Sequence, residues 1–337
     1  MKKLDMLSDR QHRILVIFFA VLFAFATLLL VVTMRTGAQT QSGTITGEWT
    51  AHLSKKRPDQ LQIMFIRRSE NGGVTNMSGN AIALSAFQGL NPSAISSAKT
   101  DVNFMLTREA GTFTFEGFFR EGRGTGFWTF TRSEPFATMM KGRGYGYLND
   151  EEMLRAAFHN LTGKYIDELK SAGYTDLDFK QLTRAAGHDI TLAYIRELET
   201  AGYPGLKMDE LIRAQNHDVN AAFIRDVKAM GFEKQPLDKL IRMHNHDITT
   251  EFVNRMKAAG FQNLSIDTLI RLHNHDVTPE FVNEIKAEGY PDLSPETAIR
   301  LKNHDVTRDI IRRAKAQGHT NATLEDIIGL KNRGTVK

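Results

Sequence analysis

The chain has 337 residues, of which 24% are charged and 41% hydrophobic, and its formal net charge is +4. This composition is ordinary for a folded protein, and the length allows two domains or one elongated array. The small net charge gives no indication of the concentrated basic surface of a nucleic-acid-binding protein, so no nucleic-acid partner is predicted. The absence of cysteine excludes disulfides, thiol catalysis and cysteine-ligated metal sites.

Residues 14–34 form the first predicted element, a transmembrane helix without charge between Arg13 and Arg35. At a rise of 1.5 Å per residue, this helix is about 30 Å long, which matches the hydrocarbon thickness of a bilayer. A cleaved signal peptide is the alternative, although its apolar stretch normally has about 7–15 residues. Four basic residues precede the run, so residues 1–13 are predicted to be cytoplasmic and the bulk of the chain extracytoplasmic. Residues 35–46 are predicted to be a polar tether.

Residues 47–147 are predicted to form a small antiparallel all-β domain, because apolar side chains here alternate with a period of two, as in segment 61–65. Turn signals rich in glycine and asparagine separate the predicted strands. The last three strands are predicted to form a meander, within a small sandwich or open barrel, at about 101–108, 112–119 and 125–131. Segment 122–126 loosely resembles a nucleotide-binding fingerprint, but it precedes a strand rather than a helix, which favours a hairpin turn.

Residues 148–334 are predicted to form an all-α solenoid of six helical hairpins, because this part of the chain repeats with a period of 29 residues. The six units are residues 159–187, 188–216, 217–245, 246–274, 275–303 and 304–332. A single hairpin could not bury its apolar surface, whereas stacked hairpins share a continuous core. Residues 149–158 match a lone second helix, so the array is predicted to begin with half a unit.

Two columns of residues in the repeats are interpreted as structural positions that end helices. The glycine column follows the first helix of each unit and comprises Gly173, Gly202, Gly231, Gly260, Gly289 and Gly318. The aspartate column follows the second helix and comprises Asp189, Asp218, Asp247, Asp276 and Asp305. Glycine would adopt the left-handed conformation of a Schellman motif. Asn160 and Gly334 hold the equivalents of the aspartates, and all three residue types tolerate that conformation, so these aspartates are predicted to be turn residues rather than acids.

Histidines that precede these aspartates invite a metal-binding interpretation, as in His244-Asn245-His246. However, side chains two residues apart on a helix do not share a face. The repeated column recurs only once per unit, roughly 10 Å apart, whereas zinc needs nitrogens about 2.0–2.1 Å from one ion. The histidines are therefore interpreted as residues at helix C-termini, which the helix dipole favours. No metal site and no cofactor are predicted.

An arginine column is the candidate binding surface, and most of its members follow an acidic residue by four positions. The column comprises Arg155, Arg184, Arg213, Arg242, Arg271 and Arg300. One interpretation is a row of salt bridges within each helix, such as Asp209 with Arg213, worth about 0.2–0.5 kcal/mol each. The other interpretation is a positive ridge that binds an acidic protein partner through Arg213, Arg242, Arg271 and Arg300.

The chain resembles a known family in two of its segments. These segments are Gly289-Tyr290-Pro291-Asp292-Leu293-Ser294 with Ile299-Arg300-Leu301-Lys302-Asn303-His304-Asp305, and Arg108-Glu109-Ala110-Gly111-Thr112-Phe113. They resemble the extracytoplasmic repeat region, and the β segment beside it, of antirepressor-type zinc peptidases of the beta-lactam-sensor class, which are bacterial membrane sensors. The resemblance covers about residues 47–332. This chain has one predicted span and no zinc-peptidase motif, so the resemblance implies the outer, ligand- or partner-binding part without the peptidase.

These features together predict a binding or scaffold protein of the bacterial envelope, and not an enzyme. It would be a sensor or signalling subunit that spans the inner membrane once, with its bulk in the periplasm and its repeats bound to a protein partner. The alternative is an enzyme with a site between the β domain and the first repeats, which convergent polar groups in a cleft would favour. A DNA-binding helical array is disfavoured because the repeats are predicted to lie outside the cytoplasm.

Overall fold

The computed structural model of the chain describes residues 44–54, 57–68 and 74–337. The predicted transmembrane helix at 14–34, the segment before it and nearly all of the tether lie outside these residues. Within the described part of the chain, no helix is both long and apolar enough to cross a bilayer. The described residues comprise a β domain followed by a series of helical repeats, as predicted.

The β domain is one antiparallel sheet of seven strands that curls into a half-barrel. The strands are β1 (Ile45–Leu53), β2 (Gln60–Arg68), β3 (Val74–Ala83), β4 (Phe87–Gln88), β5 (Thr100–Arg108), β6 (Gly111–Arg120) and β7 (Arg123–Arg132). Their order in the sheet is β3-β2-β1-β7-β6-β5-β4, so the two ends of the domain's chain meet at β1 and β7. The meander of β5, β6 and β7 is confirmed, and the curled sheet corresponds to the open form of the prediction rather than to a sandwich.

Aromatic side chains fill the inner face of this sheet, because alternate residues of each strand point to the same side. Phe104 and Phe115 are paired across β5 and β6, and their rings stack with 4.7 Å between centroids. Trp128 is fully buried, and its indole N–H donates a hydrogen bond of 2.9 Å to the backbone oxygen of Glu48. A Cβ atom on Gly126 would lie 1.9 Å from a backbone oxygen of β6, so only glycine allows β6 and β7 to approach this closely.

Two short helices accompany the sheet, and thirteen helices follow it in the described part of the chain. The short ones are α1 (Pro92–Ile95) and α2 (Glu134–Met140). The thirteen are α3 (Asp150–Phe158), α4 (Gly163–Ser171), α5 (Phe179–Gly187), α6 (Leu192–Thr200), α7 (Met208–Asn216), α8 (Ala221–Ala229), α9 (Leu237–Asn245), α10 (Thr250–Ala258), α11 (Ile266–Asn274), α12 (Pro279–Ala287), α13 (Pro295–Asn303), α14 (Arg308–Ala316) and α15 (Leu324–Asn332). Each unit contains two of them, and α3 precedes the first unit as a lone second helix.

Side-chain caps and left-handed residues set the two ends of these helices. At the start of α4, the Thr162 hydroxyl accepts a hydrogen bond of 3.0 Å from the amide of Tyr165, which is an N-cap. The glycine column has φ between 92° and 103°, and the aspartate column has φ between 49° and 53°. After the first of these glycines, the amide of Tyr174 donates to the carbonyl of Leu169 at 3.0 Å, as in a Schellman motif. Both columns therefore end helices by left-handed turns.

The helices stack in two layers, because each helix packs on the corresponding helix of the next unit. Leu182, Leu211, Leu240 and Leu269 of the second helices are almost completely buried between the layers. A continuous apolar core of this kind is expected when each hairpin is too small to bury its own surface. The stacking brings the arginine column of the second helices onto one side of the array.

Candidate interaction surface on the repeat array

The arginines of the column lie on the second helices, and five of them pair with an acid of the next unit. The pairs are Arg184–Asp209 at 2.8 Å, Arg213–Asp238 at 2.5 Å, Arg242–Asp267 at 2.6 Å, Arg271–Glu296 at 3.0 Å and Arg300–Glu325 at 2.5 Å. We call this row the charge ladder. In each pair, the two residues are 25 positions apart, and the acid lies in the first turn of the neighbouring helix.

The predicted salt bridges within single helices are therefore wrong for this column. Asp209, for example, pairs with Arg184 of the preceding unit and not with Arg213 of its own helix. Adjacent second helices bring the carboxylate of one helix beside the guanidinium of another. The positive end of the helix dipole at the first turn also favours a carboxylate there. The acid four positions before an arginine of the charge ladder consequently pairs with the arginine of the preceding unit.

The charge ladder is a surface of mixed charge, whereas the sequence allowed a positive ridge as one interpretation. Its arginine side chains are between 44% and 55% exposed, and each alternates with a carboxylate along the array. Exposed pairs of this kind contribute about 0.2–1 kcal/mol each. An acidic partner of Arg213, Arg242, Arg271 and Arg300 would have to compete with carboxylates that the array itself supplies.

The charge ladder continues into the β domain but is interrupted once. Glu151 of α3 pairs with Arg67 of β2 at 2.7 Å, so the β domain takes the place of a preceding unit. At the next junction, Arg155 of α3 holds the arginine position and Lys180 of α5 holds the acid position. This junction therefore places two positive residues where the other junctions have opposite charges.

A lysine column on the first helices forms a second row of contacts between units. Lys228 donates a hydrogen bond of 2.7 Å to the carbonyl of Ala201, and Lys257 donates one of 2.9 Å to that of Met230. Each acceptor is the carbonyl of the residue that directly follows the first helix of the preceding unit, where the helix dipole favours a positive charge. The sequence interpretation missed this row, although the recurrence of lysine at 228, 257, 286 and 315 was a visible signal.

Tyrosine hydroxyl groups join the units in the same way. The Tyr194 hydroxyl donates to the carbonyl of Val219 at 2.9 Å, and the Tyr203 hydroxyl donates to that of Gln235 at 2.7 Å. Burial raises the pKa of both phenols, so they remain neutral donors. These tyrosine hydroxyls therefore join neighbouring units of the array.

The histidine column lies at the C-terminal ends of the second helices. The Nδ1 atom of His217 is 2.9 Å from Oδ1 of Asn245 in the next unit, and His246 has the same contact with Asn274. The ring of His244 packs edge-on against Phe223, with 5.0 Å between centroids. No group of three or more metal-ligating side chains occurs within the described residues. This edge of the array is therefore polar, and its histidines are held by neighbouring units.

Grooves between neighbouring units open on both edges of the array. A cavity of about 450 Å³ lies between Tyr290 and the loop at Asn321, where the Tyr290 hydroxyl donates to the carbonyl of Ala322 at 2.8 Å. A smaller cavity of about 210 Å³ lies beside Phe223 and His244. Both are shallow clefts between repeats, and such clefts accept side chains of a partner that lies across several units.

The junction between the β domain and the array is filled by packed side chains. The ring of Phe158, the last residue of α3, lies 4.9 Å from Phe65, 5.2 Å from Phe113 and 6.1 Å from Trp128 between ring centroids. Burial and the positive charge of Arg155 lower the pKa of His159, which follows Phe158 in the chain. Phe158 thus closes the β core at the position where the repeats begin.

Ion pairs and a backbone cap surround this aromatic contact. Arg132 is only 7% exposed and pairs with Asp150 at 2.9 Å, while Glu109 accepts a hydrogen bond of 2.8 Å from the amide of Gly163. Arg143 also pairs with an aspartate of α4. The junction is therefore a built interface between the sheet and the first two helices of the array.

The fold and these contacts define a class of protein, a curled β domain joined to stacked helical repeats. No model of a known protein family matches this chain, and no curated protein matches it.

Proposed function

We propose that this protein is a membrane-anchored binding or scaffold protein whose six 29-residue helical hairpins hold a protein partner. The observation that carries the proposal is the regular repetition of contacts between neighbouring units. The charge ladder, the lysine column and the tyrosine hydroxyls join each unit to its neighbour at fixed spacing. An array built this way presents regularly spaced grooves and polar edges, which is the arrangement that helical repeat proteins use for extended binding surfaces.

The proposed placement is a single transmembrane helix at residues 14–34 in the bacterial inner membrane. Residues 1–13 would lie in the cytoplasm, and the β domain and array would lie in the periplasm. The excess of basic residues before the apolar run supports this orientation. A binding event outside the membrane would then be reported through the span, as expected for a sensor or signalling subunit.

The packing of the domain junction favours the binding proposal over the enzyme alternative. An active site between the β domain and the first repeats would need a cleft with convergent polar groups. Phe158 instead occupies this position among the rings of Phe65, Phe113 and Trp128. At the same junction, Arg132 is paired with Asp150.

Site-specific photo-crosslinking in native membranes tests this proposal. A photoreactive residue at exposed Asp292, beside the larger groove, should capture one defined partner in amounts comparable to the protein itself. The same residue at Lys99 in the β domain is the matched control and should capture far less of it. Equal capture at both positions would show that contact is unselective, and stoichiometric capture only at Lys99 would move the binding surface to the β domain.

A further inference from the structure

The interruption of the charge ladder at its first junction is the most informative surface feature of the array. Arg155 is one repeat before Arg184, and Lys180 is one repeat before Asp209. At the five regular junctions, residues in these two positions meet within 2.5–3.0 Å. Arg155 and Lys180 therefore hold the two corresponding register positions at the first junction, and both residues are exposed.

Neighbouring carboxylates do not compensate these two positive charges. Glu151 lies one helical turn before Arg155 but is held by Arg67 at 2.7 Å. Asp209 is held by Arg184 at 2.8 Å. Among the described residues, no ion pair joins Arg155 or Lys180 to an acid. Two like charges in neighbouring register positions repel each other, and an anion bound between them would remove that repulsion.

We propose that Arg155 and Lys180 together bind a carboxylate of an acidic segment of the protein partner. The carboxylate would occupy the position that Asp209, Asp238 and Asp267 hold at later junctions. This inference rests on the proposed function and names where and by what chemistry the partner docks. It also replaces the ridge of paired arginines as the docking point, because those arginines already have carboxylates.

The exposure of the site indicates a protein segment rather than a free small anion. Exposed ion pairs contribute only about 0.2–1 kcal/mol each and are weakened by salt, so this pair of residues alone would hold a free anion only weakly. A partner that also lies along the grooves between units would add contacts and raise the local concentration of its carboxylate. Binding of the partner's carboxylate to Arg155 and Lys180 should therefore weaken steeply as the salt concentration rises.

Peptide binding to the full-length protein in detergent tests the site. The probe is a fluorescein-labelled peptide of alternating glutamate and serine, and acetate is the small-anion competitor. Arg155→Gln should weaken peptide binding about threefold to fivefold, as expected for an exposed charge contact. Lys180→Glu should weaken it by about tenfold or more, because the new carboxylate would pair with Arg155 and exclude the peptide. The same variant should melt at a slightly higher temperature, which separates loss of binding from loss of folding.

Two further variants provide a matched control and a gain of function. Arg271→Gln removes an arginine that is paired with Glu296, and it should leave peptide binding within about twofold of the unaltered protein. Asp238→Lys places a lysine beside Arg213 and should create a second site, so the peptide stoichiometry should rise from one to two.

Three outcomes would overturn the proposal. The first is undiminished peptide binding by the Lys180→Glu protein, and the second is an equal loss in the Arg271→Gln protein. The third is competition by acetate as effective as that by unlabelled peptide, which would indicate a small-anion site. If peptide binding fails while the array still crosslinks its partner, the binding function stands and this docking site is wrong.

Discussion

The β domain and the repeat array are stabilised in different ways. In the β domain, contacts join residues far apart in the chain: Trp49 packs against Phe104 with 5.5 Å between ring centroids, and β1 lies beside β7. In the array, contacts join neighbouring units and recur every 29 residues, as in the charge ladder. A change in the aromatic core should therefore affect every strand at once, whereas a change in the array should affect one unit and its neighbours.

The largest expected effect is that of Trp128→Ala in the β core. Trp128 is fully buried, and removal of a buried aromatic side chain costs about 3–5 kcal/mol. Both tryptophans of the chain, Trp49 and Trp128, lie in the β domain, so their fluorescence reports this region while circular dichroism at 222 nm reports the helices. Urea unfolding should show a large shift of the fluorescence transition and a smaller shift of the helical one.

Phe127→Ala is the control for that substitution. Phe127 neighbours Trp128 in β7 but is 68% exposed, so its removal should change the free energy of unfolding by less than about 0.5 kcal/mol. Equal shifts of the two transitions in the Trp128→Ala protein would mean that the two regions unfold as one unit. The contrast between a shared core and local contacts would then be wrong.

A turn of the array should show an intermediate and local effect. Asp247 has φ of 49°, and a β-branched residue is strained in this region, so Asp247→Val should cost about 1–2 kcal/mol. Asp247→Gly should be nearly neutral, since glycine adopts this conformation readily. Thermal melting of both variants gives the comparison. Similar losses in the two proteins would show that the carboxylate itself matters and that the turn explanation fails.

The charge ladder should show a smaller coupling, and only between units. A double-mutant cycle of Arg213→Gln with Asp238→Asn should give a coupling energy of about 0.2–1 kcal/mol, because these exposed side chains form an ion pair. A cycle of Arg213→Gln with Asp209→Asn should give close to zero, although these two residues share a helix. Coupling only in the second cycle would restore the pairing within single helices.

The smallest effect concerns the pH dependence at the junction of the two regions. Burial and the charges of Arg155 and His188 lower the pKa of His159. As pH falls through about 6.5, the histidine takes up its proton more readily in the unfolded state than in the folded state. The free energy of unfolding is therefore higher above that pH and decreases below it. Urea midpoints at pH 7.5 and 5.5 should differ less for His159→Gln than for the unaltered protein. A larger difference in the variant would contradict the assigned cause.

Much of the array was predictable because its determinants are local. The threonine caps, the glycine turns and the aspartate turns each act within about five residues, and they recur with the 29-residue period. Asn160 and Gly334 in the positions of the aspartates indicate a left-handed turn, and φ of 50° and 73° agrees with this interpretation. In the β domain, the alternation and the short turns predicted the strands and the meander of β5, β6 and β7, but they did not predict that β1 lies beside β7.

Contacts of residues that have several possible partners could not be predicted without the tertiary structure. The sequence by itself determined where the helices of the array begin, turn and recur, because caps and backbone conformation depend on adjacent residues. Only the tertiary structure decided that Arg213 pairs with Asp238 rather than Asp209, and that Phe158 completes the β core. The physical reason is that ion pairs and apolar contacts form between side chains that are close in the folded protein. Several acids and aromatic rings along the chain could have been the partners, and the sequence does not specify which of them lie close.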